Sequence, residues 1–249
     1  MEKQKKVQKE WYEKKSASKG SEIIEISTLT HIEKLQDLLP VRKARMSLNC
    51  GCGNGGQRDI FGPSIGVDIS FENIRAVIKA GGQGVVADME FLPFKDHSFD
   101  LVYGFGILHH LSNIRKGVSE ASRVLKKGGF VGFGGENNGL CPLVYVMSFL
   151  YGNWRIEKGS YRIRERNLKK IFQESGIIDF KVSKWGMTIY GMGRALYRVT
   201  SVMERMLSRI RPLRTFSGHC YMVGRKVYPP YHLANKEMRS AQKYVKQAN

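Results

Sequence analysis

Residues 47–56 read Ser-Leu-Asn-Cys-Gly-Cys-Gly-Asn-Gly-Gly. A short apolar run precedes them and a polar segment follows, the pattern of a strand-to-helix turn. Gly51, Gly53 and Gly56 have the spacing G-x-G-x-x-G. Without side chains the backbone can take unusual angles and come close to a ligand. The loop predicts a nucleotide-like cofactor. The spacing alone does not say which one.

The flanking pattern sets the architecture. Ile32–Leu39 has helical spacing and ends at Pro40. Strands are predicted at 46–50, 64–69, 84–87, 99–103, 130–134, 177–185 and 219–227. Helices are predicted at 71–80, closed by Gly81-Gly82, at 115–125, closed by Gly128-Gly129, and at 168–174, closed by Gly176. Strands alternating with helices argue for an α/β fold with a mostly parallel sheet. A chain of 249 residues is long enough for one large domain. The expected organisation is a basic arm at 1–20, a domain at 21–228 with its cofactor half at about 41–135, and a basic tail at 229–249.

No apolar run is long enough to span a bilayer, and the start lacks the apolar core of a secretory signal. Cys50, Cys52, Cys141 and Cys220 are the only cysteines. C-x-C is not the usual zinc spacing, and no Cys/His cluster completes it. Reduced thiols in a cytoplasmic protein without a metal are expected.

The net charge of +19 is uneven. Residues 41–150 carry only +3, whereas residues 151–215 carry +10. Such a field attracts phosphates, nucleic acid or an anionic membrane face, or it simply solvates the surface.

In a doubly wound fold, ligands bind at the carboxyl ends of the strands. Asp68 ends the second predicted strand, where a carboxylate can accept from both hydroxyls of a ribose. Asp88 ends the third, where it can accept from an exocyclic amine. Met89 follows and can lie against a ring. Downstream come Leu92-Pro93-Phe94-Lys95-Asp96-His97-Ser98-Phe99-Asp100, then Leu108-His109-His110, then Arg123-Val124-Leu125-Lys126-Lys127-Gly128-Gly129.

In order and spacing, residues 46–135 resemble the class I S-adenosylmethionine-dependent methyltransferases of the type 11 group. The resemblance implies a Rossmann-like, seven-stranded, mostly parallel sheet with helical lid elements. It implies S-adenosylmethionine as cofactor, with Asn49, Gly51, Cys52 and Gly53 under its methionine part. Asp68 and Ile69 would hold the ribose, Asp88 and Met89 the adenine. Gly104 and Phe105 would lie near the methionyl amine and sulfonium. The chain departs from the family at Asn49, where an acid is usual, and at Lys127, which replaces a proline. Trp11 and Tyr12 resemble an aromatic segment that folds over the cofactor in relatives.

Methyl transfer needs a nucleophile aligned with an activated methyl and water kept out. A base is needed only if the acceptor must lose a proton. His110 and Glu136 are the candidates. Asn137, Asn138 and Tyr161 are candidate substrate contacts. The basic run Arg162–Arg166 either receives an anionic acceptor or is a solvated face. Leu140–Tyr151 is nearly all apolar beside the acceptor side. Residues 194–210 have the pattern of a basic amphipathic helix, a lid or a membrane-surface element. These features suit O-methylation of a small-molecule, glycan or lipid-like acceptor, with peripheral contact to an anionic membrane as one option. An RNA or protein methyltransferase is the second reading, and nucleic acid is not favoured, because no RNA-binding module is recognisable. A non-catalytic module that only binds the cofactor is the third.

Overall fold

A computed structural model of the chain describes residues 5, 22–41, 43–150, 158–186, 199, 202, 210 and 215–227. The elements are α1 (Glu22–Leu38), β1 (Ser47–Cys50), β2 (Ser64–Asp68), α2 (Phe71–Lys79), β3 (Gln83–Val86) and β4 (Phe99–Phe105), followed by a 3-10 turn at Leu108–His110. Then come α3 (Ile114–Val124), β5 (Leu125–Asn137), α4 (Pro142–Leu150), a 3-10 turn at Lys158–Arg162, α5 (Glu165–Glu174), β6 (Ile177–Trp185) and β7 (His219–Lys226). They form one seven-stranded sheet in the order β3-β2-β1-β4-β5-β7-β6. The first five strands run parallel, and β7 pairs antiparallel with both β5 and β6. The expected Rossmann-like sheet is what forms.

Each face of the sheet has its own core. On one side Leu48, Val102, Val131, Phe133 and Met222 pack with α3 and α5 through Val118, Ala121, Leu168 and Phe172. On the other, Leu101, Tyr103 and Val223 pack against Leu35 of α1 and Leu39 just after it. β5 is built for that contact. A Cβ at Gly132 would lie 2.9 Å from Leu39. The missing side chain lets the helix sit close to the strand.

Two boundaries differ most from expectation. α1 begins ten residues before the predicted segment. β5 starts at Leu125 rather than Phe130, directly after α3. The register of β4 on β5 slips there, from Phe99↔Leu125 to Leu101↔Phe130. The alternating apolar pattern shows only from Phe130 onward, so only that part was visible. All four cysteines are buried free thiols, and burial pushes Cys52 and Cys220 up to about 12. No helix among the described residues is long and apolar enough to cross a membrane. Trp11, Tyr12 and the tail at 229–249 lie outside the described residues. So does most of 194–210, of which Val199, Val202 and Ile210 are described and exposed.

Candidate active site

β1 runs straight into the glycine loop. The amides of Gly51 and Cys52 both donate to the Val67 carbonyl, at 2.7 and 3.1 Å, which ties the loop to β2. Gly51 has φ +68, and a Cβ there would lie 2.8 Å from Ile107. Only glycine takes this angle at no cost while the next strand's loop comes so close. Asp68 ends β2. Its carboxylate accepts from the Gly53 amide and from the Ser70 amide, each at 2.9 Å. Burial raises its pKa, and these backbone donors pull the other way. Ser70 then caps α2 by accepting from the Asn73 amide.

Two residues past β3, Asp88 accepts from the Glu90 amide at 2.9 Å. Its other oxygen accepts from Lys5, the one described residue of the N-terminal arm, which also reaches Glu90 at 3.1 Å. Glu90 is itself fixed. It accepts from the amides of Ser112 and Asn113, at 2.7 and 3.1 Å, at the start of α3.

These elements enclose one cleft at the carboxyl ends of β1, β2, β3 and β4, with about 770 Å³ of open volume. Of the residues singled out from the sequence, Gly51, Gly53, Asp68, Ile69, Asp88, Met89, Phe105 and His110 line it. Lys5, Asn73, Gly106 and Ile107 also line it and were missed. Gly106 and Ile107 directly follow Phe105, so extending that motif by two residues would have found them. Lys5 carries no local signal.

Three candidates for the cofactor do not line the cleft. Cys52 turns its side chain into a small core with Ile74 and Val77. Gly104 lies beneath, where a Cβ would be 2.5 Å from the Cys50 carbonyl. Asn49 faces the rear of the glycine loop. Its Nδ2 donates to the Gln57 carbonyl at 3.2 Å, and Tyr103 donates to the same oxygen at 3.0 Å.

The catalytic candidates separate. His110 lines the cleft with its ring 3.9 Å from that of His109. Glu136 does not. It is 0% exposed and supports the 3-10 turn. The amides of Ile107 and Leu108 donate to one oxygen, both at 2.8 Å. The amide and Nδ1 of His109 donate to the other, at 3.2 and 2.7 Å. With both oxygens so occupied, Glu136 anchors the turn. A slip in the β5–β7 register puts it there. Phe133 pairs with Met222 and Glu136 with Cys220, so the irregularity keeps Glu136 on the same face as Phe133.

The substrate candidates are also placed elsewhere. Asn138 is buried and donates to the carbonyls of Thr215 and Ser217, at 2.8 and 2.7 Å, joining β5 to the approach of β7. Asn137 pairs with His219 in the sheet. Tyr161 is 56% exposed on the second 3-10 turn. In the adjacent basic run, Arg162 is half-buried and turned onto backbone carbonyls. Its guanidinium donates to the carbonyls of His109, Leu111 and Ser112, at 3.1, 2.6 and 3.1 Å.

Residues 48–133 match the family model described as "Methyltransferase domain". A tRNA (carboxymethyluridine(34)-5-O)-methyltransferase of Arabidopsis thaliana is 39% identical over 90 residues, covering 34% of this chain and 22% of the relative. A 27-O-demethylrifamycin SV methyltransferase of Amycolatopsis mediterranei is 31% identical over 127 residues, covering 46% and 47%. The chain spans about half the length of the first curated relatives it matches. Among solved structures, a SAM-dependent methyltransferase from Thermotoga maritima, titled a possible histamine N-methyltransferase, shares the fold. Its TM-score is 0.60 at 20% identity, over 80% of this chain and 88% of that one.

Proposed function

We propose that this chain, a class I S-adenosylmethionine-dependent methyltransferase by its domain match and its fold, hands the methyl group to an oxygen of a small-molecule, glycan or lipid-like acceptor. The observation that carries the reading is the pair Asp68 and Asp88. They end or follow adjacent strands and line the same cleft as Gly51 and Gly53. One carboxylate suits two ribose hydroxyls and the other an adenine amine. Ile69 and Met89, next to them, offer apolar surface to the rings. A Cβ at Gly53 would meet nothing within 4 Å, so the glycine leaves open the room that a methionine chain would take.

When bound, S-adenosylmethionine supplies a sulfonium-activated methyl group. The chain's own residues hold and orient it. The anchored turn places Ile107 and His110 at the end of the cleft beyond Phe105. His110 is the candidate for orienting an acceptor there. Alignment and exclusion of water are the main requirements for such a displacement.

Both named relatives act on an oxygen by their names, which supports O-methylation. An apolar acceptor is supported by α4, where Val146, Phe149 and Leu150 are exposed. With the basic charge of 151–215, that surface suits peripheral contact with an anionic membrane. The relative that methylates tRNA favours a second reading in which the same basic region receives RNA.

Calorimetry with S-adenosylhomocysteine tests the cofactor site. The expected result is saturable binding that falls at least tenfold in Asp68→Ala and in Asp88→Ala. A folded protein that binds neither S-adenosylmethionine nor S-adenosylhomocysteine would sink the enzyme reading. Transfer of a labelled methyl group into a cell extract then separates lipid, small-molecule and tRNA acceptors.

A further inference from the structure

The turn after β3 aims two carboxylates at one point. The Phe91 amide donates to the Asp88 carbonyl at 2.8 Å, which closes residues 88–91 into a turn. Each acid spends one oxygen on backbone amides. Asp88 Oδ1 accepts from the Glu90 amide at 2.9 Å. Glu90 Oε1 accepts from the amides of Ser112 and Asn113, at 2.7 and 3.1 Å. Each turns its other oxygen to the same nitrogen, Nζ of Lys5. Asp88 Oδ2 pairs with it directly, and Glu90 Oε2 lies 3.1 Å from it. All three residues line the cleft, and Glu90 is only 3% exposed. The cleft thus contains a place where one nitrogen with several hydrogens meets two acceptors.

We propose that Glu90 is a specificity-determining residue, the second acceptor for the base of the cofactor, so that Asp88 and Glu90 together select a purine with a free 6-amino group. This rests on the methyltransferase reading of the cleft. Lys5 Nζ marks the position, and the arm gives it up when the amine arrives. The exocyclic amine of adenine is a donor with two hydrogens. One goes to Asp88 Oδ2 and the other to Glu90 Oε2. A 6-oxo base would set lone pairs against two anions. A 6-methylamino base has only one hydrogen to give. A buried acceptor left without a donor is costly, and a site built on such bonds rejects analogues that lack them. Glu90 keeps its place without Lys5, because the amides on Oε1 open α3, where the helix dipole favours an anion.

The test is calorimetry on the full chain with S-adenosylhomocysteine, its 6-oxo analogue S-inosylhomocysteine, and its N6-methyl derivative. The parent should bind the two analogues at least about tenfold more weakly. In Glu90→Gln the amide oxygen keeps the Ser112 and Asn113 amides, and its NH2 group takes the place of Oε2. A donor then faces the base. S-adenosylhomocysteine should lose about tenfold and the 6-oxo ligand nothing, so the ratio between them narrows by that factor. An unchanged ratio in a folded variant would overturn the role of Glu90 and leave it the anchor of residues 112–113. If the variant does not fold, the parent decides. An N6-methyl ligand bound as tightly as S-adenosylhomocysteine would mean that one hydrogen alone is read, and would overturn the role equally. Failure of the folded parent to bind S-adenosylhomocysteine at all would remove the cofactor reading, and this one with it.

Discussion

Glu136 and Arg162 grip opposite ends of the same 3-10 turn. The carboxylate takes the amides that open Leu108–His110, and the guanidinium takes the carbonyls that close it. A helical turn leaves orphan donors at its start and orphan acceptors at its end. Here one buried anion and one cation meet both needs. The turn carries Ile107 and His110 into the cleft, so the pair acts on the site without touching it.

Replacing Glu136 by Gln should therefore lower stability before it lowers chemistry. The amide would present N–H groups toward backbone amides that need an acceptor, at a cost of about 1–3 kcal/mol. The expected outcome is a lower Tm together with weaker S-adenosylhomocysteine binding. An unchanged melting curve with binding intact and turnover lost would instead make Glu136 a base.

Gly159 gives a sharper test of the same clamp. A Cβ there would lie 1.9 Å from the His109 carbonyl oxygen. Neither backbone can yield without breaking the Arg162 contacts. Gly159→Ala should cost more than about 2 kcal/mol, read as a fall in the denaturation midpoint. A variant as stable as the parent would mean that the two turns are not packed as described.

The clamp also shows what the sequence could and could not reveal. Asp68, Asp88 and the glycine loop were legible because each sits at a strand end, within a few residues of its structural cue. β6 was predicted at its full length, starting directly after Gly176, which closes the helix before it. Arg162 was not legible, since its partners are 50 to 53 residues away and a basic run looks like a solvated face. Glu136 looked like a base because the predicted strand stopped at 134, whereas β5 runs to Asn137 and carries it into the sheet. Lys5 was invisible for the same reason as Arg162: its partner Asp88 is 83 residues away.

Lys5 competes for the oxygen of Asp88 that an adenine amine would use. Removing it should strengthen cofactor binding. The ion pair is partly exposed, so the gain should be modest, about two- to fivefold for Lys5→Ala at low salt. Calorimetry at two ionic strengths measures it, and the advantage of the variant should shrink as salt screens the pair. Weaker binding by the variant would show that Lys5 contacts the cofactor instead of giving way to it.

Asn49 stands where an acid is usual in the family it resembles, but restoring the acid should harm this chain. Asn49 is buried, and its amide donates to the Gln57 carbonyl that Tyr103 also bonds. Its Oδ1 has no hydrogen-bond partner among the described residues. A carboxylate would set a buried charge against the Gln57 carbonyl. Asn49→Asp should cost roughly 3 kcal/mol near neutral pH, and less as acid protonates the new group. Equal stability at pH 7 and pH 5 would show that the loop rearranges to supply donors.

Asp68 is expected to set the pH dependence of cofactor binding. Only its ionised form can accept from two ribose hydroxyls while keeping the Gly53 and Ser70 amides satisfied. Burial raises its pKa, with the backbone donors opposing. The sign follows: affinity for S-adenosylhomocysteine is complete at neutral pH and falls as pH drops through that raised value, earlier than an ordinary aspartate would allow. Asp68→Asn should bind weakly at pH 7 and lose this acid-side dependence. Calorimetry from pH 5 to pH 8 reads both effects. If the acid-side fall persisted in Asp68→Asn, the titrating group would be another carboxylate of the cleft, and Asp88 would be the next to replace.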